Sequence, residues 1–84
     1  MRFMVEGRGN GPPTDEMLAL IPAEQARGRE FDAQGLRVAL YVAADFSVTW
    51  QVFTADTQAD VQRALESLPL YHFGSFTITP LADG

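Results

Sequence analysis

The sequence has no cysteine and no lysine, and it contains a single histidine, His72. The absence of cysteine excludes disulfide bonds, thiol nucleophiles and cysteine-ligated metals. The absence of lysine excludes Schiff-base chemistry and a phosphate-binding P-loop. One imidazole without a cysteine or a close pair of carboxylates gives too few ligands, so we expect no metal site. Carboxylates therefore remain as the main candidates for proton transfer.

The chain also lacks a basic excess and a long apolar run. Six arginines stand against 11 acidic residues, giving a formal net charge of -5, so we expect no nucleic-acid partner. The longest apolar run, residues 38–44, is far shorter than the membrane span of about 20 residues. The N-terminus shows no charged-then-apolar secretion signal. We therefore expect no membrane association and a cytoplasmic location.

The length of 84 residues limits the size of the hydrophobic core. A chain of this size buries only about 60% of the surface that its unfolded form exposes. Association with further copies is a natural way to add buried surface. With no repeat, linker or low-complexity segment, residues 1–84 are predicted to form one domain that assembles as a homodimer or a larger homo-oligomer.

Apolar periodicity predicts four strands and two helices. Pro22 predicts either a kink in the first helix or its division into helices at 15–20 and 22–34. The glycine-rich segment 7–13 is predicted to be a loop. The predicted strands cover 2–6, 37–43, 46–53 and 73–80, and the predicted helices begin after Thr14 and after Asp56 or Thr57. This order indicates an α+β, ferredoxin-like βαββαβ fold, an antiparallel four-stranded sheet with two helices on one face.

The second and third predicted strands form a hairpin, and their alternation assigns side chains to the two sheet faces. Trp50 and Val52 are predicted to face the helices, and Tyr41 and Trp50 are predicted to lie on opposite faces. The face away from the helices then mixes apolar and polar side chains: Met4, Ala39, Tyr41, Thr49, Gln51, Ser75 and Thr77. Such a face is too apolar for open water, so a second sheet is predicted to cover it and form a dimer.

Glu24 is the leading candidate for chemistry. Helical spacing places it on the inward stripe that also contains Met17, Ile21, Gly28 and Phe31. Burial raises the pKa of a carboxyl group toward neutrality, which suits a general base. The alternative is a structural carboxylate at the helix edge, or one paired with an arginine, Arg2, Arg27 or Arg37.

Four further residues are candidates for a substrate site. His72 lies between the second helix and the last strand, where it would donate a hydrogen bond or carry a proton; the alternative is a structural or surface histidine. Tyr41 is predicted either to line a pocket or to be a core aromatic. Met4 and Trp50 complete the predicted substrate-binding set.

The C-terminal part of the chain has a distinctive pattern. A capped helix runs into Leu68-Pro69-Leu70-Tyr71, followed by Phe76-Thr77-Ile78-Thr79-Pro80-Leu81, and this pattern resembles the end of the muconolactone delta-isomerases. The length and the first strand, with Phe3 and Val5, resemble that family too, so the resemblance covers nearly the whole chain. It implies a dimeric α+β barrel of ferredoxin-like protomers, and larger rings in the family's enzymes.

The resemblance also implies a reaction. The family's enzymes shift a proton along a small unsaturated lactone carrying a carboxylate, in aromatic catabolism and without a cofactor. Glu24 matches a glutamate position in the family's first long helix. Two strands depart from the family pattern, because Met4 and Glu6, and also Val38, Ala39 and Val42, stand where the family's isomerases carry basic residues. The sequence therefore predicts a small apolar molecule rather than an anion as ligand.

These observations lead to an expected function. The chain is predicted to be a cofactor-independent isomerase acting on a small unsaturated lactone or carbonyl compound, with Glu24 as the base and His72 and Tyr41 orienting the carbonyl group. Two alternatives stay open: a cofactor-free oxygenase or cyclase of the dimeric barrel type, and a non-catalytic small-molecule-binding oligomer. A pocket that reaches Glu24 would favour an enzyme. Pairing of Glu24 with an arginine, with no cavity beside it, would favour the non-catalytic alternative.

Overall fold

The computed structural model describes residues 1–82, which form four strands and two long helices. The elements are β1 (Arg2–Gly9), α1 (Asp15–Ala33), β2 (Arg37–Val42), β3 (Val48–Thr54), α2 (Gln58–Glu66), a 3₁₀ turn (Tyr71–Phe73) and β4 (Gly74–Pro80). The antiparallel sheet has the strand order β2-β3-β1-β4, with the first strand inside it. The predicted ferredoxin-like fold is confirmed.

Helix α1 begins where the sequence predicts. The Thr14 hydroxyl accepts a hydrogen bond from the Met17 amide at 3.2 Å, and acidic residues occupy the first turn, where the helix dipole favours them. The predicted division at Pro22 is wrong, because Asp15–Ala33 is one helix with Pro22 inside it. Leu18 and Pro22 both lie on the exposed side of α1, so water can hydrogen-bond the carbonyl that proline leaves without a donor.

The core lies between the sheet, α2 and the C-terminal half of α1. The rings of Phe31 and Phe53 meet edge to face with centroids 5.8 Å apart. Thr57 caps α2 by accepting a hydrogen bond from the Asp60 amide at 3.2 Å, as one of the two predicted caps. The core cluster consists of Phe3, Val5, Phe31, Phe53, Val61, Ala64, Leu65 and Leu68.

The N-terminal half of α1 packs less closely on the sheet. Only Gly28 and Phe31 of this helix are buried. Ile21, one turn before Glu24 on the inward stripe, is still 37% exposed. The first half of α1 therefore stands over the sheet without filling the space beneath it, which leaves room for a cavity.

The predicted faces of β3 are inverted. Gln51 pairs with Val5 and Phe53 pairs with Phe3, and all four are buried, so Gln51 faces the helices. Trp50 therefore points to the other side. Alternation alone does not say which face is inward. A glutamine is tolerated on the inner face because its side-chain oxygen accepts a hydrogen bond from an arginine at 3.1 Å.

The correction to β3 also changes the face opposite the helices. Tyr41 and Trp50 are directly paired across β2 and β3, so they share a face, and the prediction that they lie on opposite faces is wrong. This outer face, the sheet surface turned away from α1 and α2, carries Met4, Tyr41, Trp50 and Val52. Tyr41 is 64% exposed. The outer face is therefore more apolar than the sequence predicts.

Strand β1 is longer than predicted, because the residues assigned to a loop at 7–9 continue the ladder to Gly9, which pairs with Gly74. Gly7 is a close-packing position. A Cβ atom on Gly7 would lie 2.8 Å from Oγ1 of Thr49 and 2.9 Å from the Phe76 ring. Gly7 thus makes room for the side chains of Thr49 and Phe76, both of which line the cleft described below. In residues 1–82, no helix combines the length and apolarity needed to cross a bilayer.

Candidate active-site cleft

A cleft of about 440 Å³ lies between α1 and the sheet. Its volume falls within the usual range for small-molecule sites, roughly 300–1,000 Å³. The lining side chains that matter for chemistry and shape are Ile21, Glu24, Arg37, Phe46, Gln51 and Phe76. The cleft thus combines apolar and aromatic walls with one carboxylate and one guanidinium.

Glu24 projects from α1 into this cleft, on the side that the helical stripe predicts. Its Oε1 accepts a hydrogen bond from the Leu70 amide at 2.9 Å. Burial of the half-buried carboxyl raises its pKa from the ordinary value, and the Leu70 hydrogen bond and the positive charge of Arg37 only partly oppose this. The direction of this shift is the one that a general base working near neutral pH requires.

In the part of the chain that the structure describes, no arginine forms an ion pair with Glu24. Within residues 1–82 the ion pairs are Arg8–Glu6, Arg27–Glu30, Arg37–Asp32 and Arg63–Asp60. The structure therefore does not support the alternative of a carboxylate neutralised by Arg2, Arg27 or Arg37. Its second oxygen, Oε2, accepts no hydrogen bond from the residues described, which leaves it open toward a ligand.

Arg37 is a charged residue of the cleft that the sequence does not single out as a site residue. Its Nε and Nη2 donate to the two carboxylate oxygens of Asp32 at 2.7 and 3.0 Å, and its Nη1 donates to Oε1 of Gln51 at 3.1 Å. The side chain is only 13% exposed. Although the basic residues of the family pattern are absent from two strands, the structure therefore places one guanidinium in the cleft. The available signal was Gly28, a gap in the inward stripe that leaves space for a long side chain.

Phe46 stands at the junction of the cleft and a smaller cavity of about 170 Å³, and it lines both. It lies in the turn between β2 and β3, is 84% exposed, and has a positive φ of 62°. Few residues with a Cβ adopt that conformation. The sequence assigns Phe46 to strand β3, and the structure places it before the strand.

The other predicted site residues lie elsewhere. His72 is exposed in the 3₁₀ turn, with its ring 5.1 Å from that of Tyr71, and it does not line the cleft. Met4, Tyr41 and Trp50 lie on the outer face of the sheet. The structure therefore brings only Glu24, of the predicted residues, into the cleft. In residues 1–82, no three histidine, aspartate or glutamate side chains cluster closely enough to hold a metal ion.

The fold and the cleft together define a small ferredoxin-like protein with a carboxylate and a guanidinium in a pocket beneath its first helix. The family model of muconolactone delta-isomerase matches residues 1–83. The chain belongs to the muconolactone delta-isomerase family, and the resemblance inferred from the sequence is confirmed.

Two solved structures share the fold. A muconolactone isomerase is similar with a TM-score of 0.85 and 18% identity, over 100% of this chain and 91% of the other. A 5-chloro-2-hydroxyhydroquinone dehydrochlorinase from Burkholderia phenoliruptrix, in complex with 2,5-dihydroxybenzoquinone, is similar with a TM-score of 0.78 and 14% identity, over 100% and 96%. No curated protein sequence matches the chain. At these identities the two structures establish a common fold.

Proposed function

We propose that the protein is a cofactor-independent isomerase that moves a proton on a small unsaturated lactone or carbonyl compound, with Glu24 as the base. The observation that carries the proposal is the state of Glu24. It is a half-buried carboxylate that faces a ligand-sized cleft and forms no ion pair with an arginine among the residues described. Membership of an isomerase family supports the same reaction class.

The reaction follows from the position of the carboxylate. Glu24 removes a proton from the carbon next to the substrate carbonyl, so a C–H bond breaks and an O–H bond forms on the carboxyl group. The electron pair moves to the carbonyl oxygen and gives a dienolate. Glu24 then returns the proton to the far carbon of the conjugated system, which shifts the double bond. No electron is gained or lost, so no redox partner is required.

The Leu70 amide gives Glu24 a fixed orientation for this transfer. It holds Oε1 at 2.9 Å, so Oε2 is the atom that takes the proton. A fixed carboxylate loses little freedom when the substrate arrives, and such positioning accounts for a large part of many enzymatic rate gains.

The walls of the cleft set the kind of substrate. Phe46 and Phe76 present aromatic rings, and Ile21, Leu40 and Val42 present branched alkyl groups. These side chains favour a flat ring of modest size over an extended polar chain. Within the reaction class, a cyclic unsaturated ester or ketone fits this combination.

We also propose that the protein works as a homo-oligomer, with the outer face covered by a second copy. Tyr41, Trp50, Val52 and Met4 form an apolar patch around two exposed or half-buried aromatic rings. Patches of this kind are covered in most soluble proteins. Met4, Tyr41 and Trp50 then contribute to assembly, and His72 lies outside the reaction scheme.

The test of the proposed function is the isomerisation of α-angelica lactone, a β,γ-unsaturated lactone, followed by proton NMR. Glu24→Gln keeps the side-chain size and the Leu70 hydrogen bond, but it cannot take a proton. We expect a loss of about 100-fold or more. Glu30→Gln is the matched control, since Glu30 is an exposed carboxylate on the same helix outside the cleft, and its rate should equal that of the wild type.

Two results would reject the proposal. Equal rates for Glu24→Gln and wild type would remove Glu24 from the reaction. A wild type that binds the lactone and never isomerises it would favour the non-catalytic binding oligomer.

A further inference from the structure

Arg37 is the only cationic side chain among those that line the larger cleft in the described part of the chain. An arginine carries five N–H donors in a rigid planar fork. Three of them are used, two by Asp32 and one by Gln51. Two N–H bonds, one on each terminal nitrogen, remain for a ligand in the cleft.

Three residues from different elements hold the guanidinium in place. Asp32, at the end of α1, binds it through both carboxylate oxygens, and Gln51 on β3 binds Nη1. Gly28 provides the space, because a Cβ atom there would lie 2.9 Å from Nη2 and 3.1 Å from Nη1. A bidentate pair with a further hydrogen bond fixes both the position and the plane of the fork.

We propose that Arg37 binds the substrate oxygen that becomes negatively charged when Glu24 removes the proton. This inference rests on the proposed function and makes its substrate more specific. The substrate carbonyl oxygen lies at the free N–H bonds of Arg37, while its acidic C–H group lies at Oε2 of Glu24. The substrate class is therefore a cyclic carbonyl compound that is neutral when it binds and forms an enolate during the reaction.

The charges around the cleft favour this class over a permanent anion. Asp32 already offsets the charge of Arg37 through two hydrogen bonds, and Glu24 adds a negative charge that forms no ion pair within residues 1–82. A carboxylate-bearing substrate would be repelled by Glu24 in the cleft, and Arg37 would attract it only weakly because Asp32 already offsets the charge of the guanidinium. A neutral carbonyl compound avoids that repulsion. Once the proton moves to Glu24, the repelling charge disappears as the enolate charge appears, so Arg37 binds the intermediate better than the substrate.

Tetronic acid tests this assignment by binding alone. It is a small cyclic lactone that is an enolate-like anion at neutral pH, and γ-butyrolactone is its neutral counterpart. The measurement is the ratio of their dissociation constants in the Glu24→Gln protein, which mimics the enzyme after it has taken the proton. We expect tetronate to bind about tenfold tighter or more, as two hydrogen bonds to a charged group would give.

The Arg37 variants give the decisive comparison. Adding Arg37→Gln to the Glu24→Gln protein should abolish the preference for tetronate. Adding Arg27→Gln should preserve the preference. This substitution removes one positive charge, as Arg37→Gln does, but the Arg27 guanidinium binds Glu30 and Ser67 away from the cleft. An unchanged ratio after removal of Arg37, or an equal loss with Arg27→Gln, would overturn the inference.

A second readout guards against a variant that fails to fold. In the folded Glu24→Gln protein, saturating tetronate should shift the NMR signals of the Arg37 guanidinium nitrogens, and by more than saturating γ-butyrolactone does, because the anion makes the stronger hydrogen bonds. Signals that do not move when tetronate is bound would reject the assignment without any Arg37 variant.

The outcomes separate this inference from the proposed function. Tetronate binding that depends on Arg37 in a protein that isomerises no lactone would reject the isomerase and keep the oxygen site. Isomerisation that depends on Glu24, together with tetronate binding that ignores Arg37, would keep the isomerase and reject the oxygen site.

Discussion

The guanidinium of Arg37 occupies the space that a side chain at position 28 would fill. A Cβ atom on Gly28 would stand 2.9 Å from Nη2 of Arg37, closer than nonbonded atoms tolerate. The glycine in α1 and the arginine at the start of β2 therefore form one unit. Through Asp32 and Gln51 this unit connects the end of α1, the edge strand and an inner strand at the base of the cleft.

Gly28→Ala tests this unit directly. Alanine favours the helix by about 1 kcal/mol relative to glycine, and the displaced group is the tip of a long side chain. We expect the free energy of unfolding to change by less than about 1 kcal/mol. When Gly28→Ala is added to the Glu24→Gln protein, the preference for tetronate over γ-butyrolactone should nevertheless fall, because Arg37 must move. Urea unfolding and ligand titration measure the two effects separately.

The matched control for that variant is Gly11→Ala, since a Cβ atom on Gly11 would meet nothing within 4 Å. It should change neither quantity. A Gly28→Ala protein that keeps the full tetronate preference would show that the position of Arg37 is unimportant for the ligand.

Gly7→Ala should behave differently, because the atoms crowded by its Cβ are held on the inner face of the sheet. That Cβ would lie 2.8 Å from Thr49 Oγ1 and 2.9 Å from the Phe76 ring. Overpacking of this kind costs about 1–3 kcal/mol, and we expect a loss in that range from denaturant unfolding. Stability equal to that of Gly11→Ala would mean that Thr49 and Phe76 shift freely.

The pKa values of Glu24 and Asp32 are shifted in opposite directions, so the two residues should give folding stability opposite pH dependences. The pKa of Glu24 is raised in the fold by burial, so its stabilising influence is present at low pH and declines as pH rises through the raised value. The pKa of Asp32 is lowered, mainly by its hydrogen bonds from Arg37, so its contribution is present above the ordinary carboxyl pKa and is lost as pH falls through the lowered value.

The free energies of unfolding of the two variants, each relative to wild type, should therefore change in opposite directions as pH rises. Glu24→Gln should become relatively more stable, compared with wild type, as pH rises from acid to neutral. Asp32→Asn should become relatively less stable over the same range. Urea unfolding across that range measures both, and parallel profiles for the two variants would contradict the electrostatic description of the cleft.

Tyr41 tests the proposed assembly. Tyr41→Asp places a charge in the outer-face patch, and we expect the protein to shift toward monomer in sedimentation at micromolar concentration. Leu18→Asp is the matched control, because Leu18 is 53% exposed on α1, on the opposite side of the molecule. It should leave the assembly intact. A wild type that sediments as a monomer under the same conditions would refute the proposed interface.

Local features of this fold could be predicted from the sequence, and features that depend on two distant segments could not. Thr14 and Thr57 cap helices because a hydroxyl and an amide three residues later are enough to form the cap. Glu24 could be predicted on the inward stripe because helical spacing depends only on neighbouring residues. Trp50 was assigned to the wrong face because an alternating strand has two equivalent solutions.

The surroundings of Arg37 illustrate the features that depend on distant segments. The inward position of Gln51 makes sense only with Arg37 beside it, and Arg37 is fixed only by Asp32 and by the space at Gly28. These residues lie on three elements, and their distances are set by the packing of α1 on the sheet. No pattern within one segment contains that information.

The most direct test of Glu24 as the base is the pH dependence of kcat/KM for isomerisation of α-angelica lactone. This quantity reports the ionisation of the free enzyme. The account predicts that the wild-type rate falls on the acid side with a midpoint above 4.5, the ordinary value for a glutamate, and that the small residual rate of Glu24→Gln lacks that acid limb. An acid limb that persists unchanged in Glu24→Gln would contradict the account.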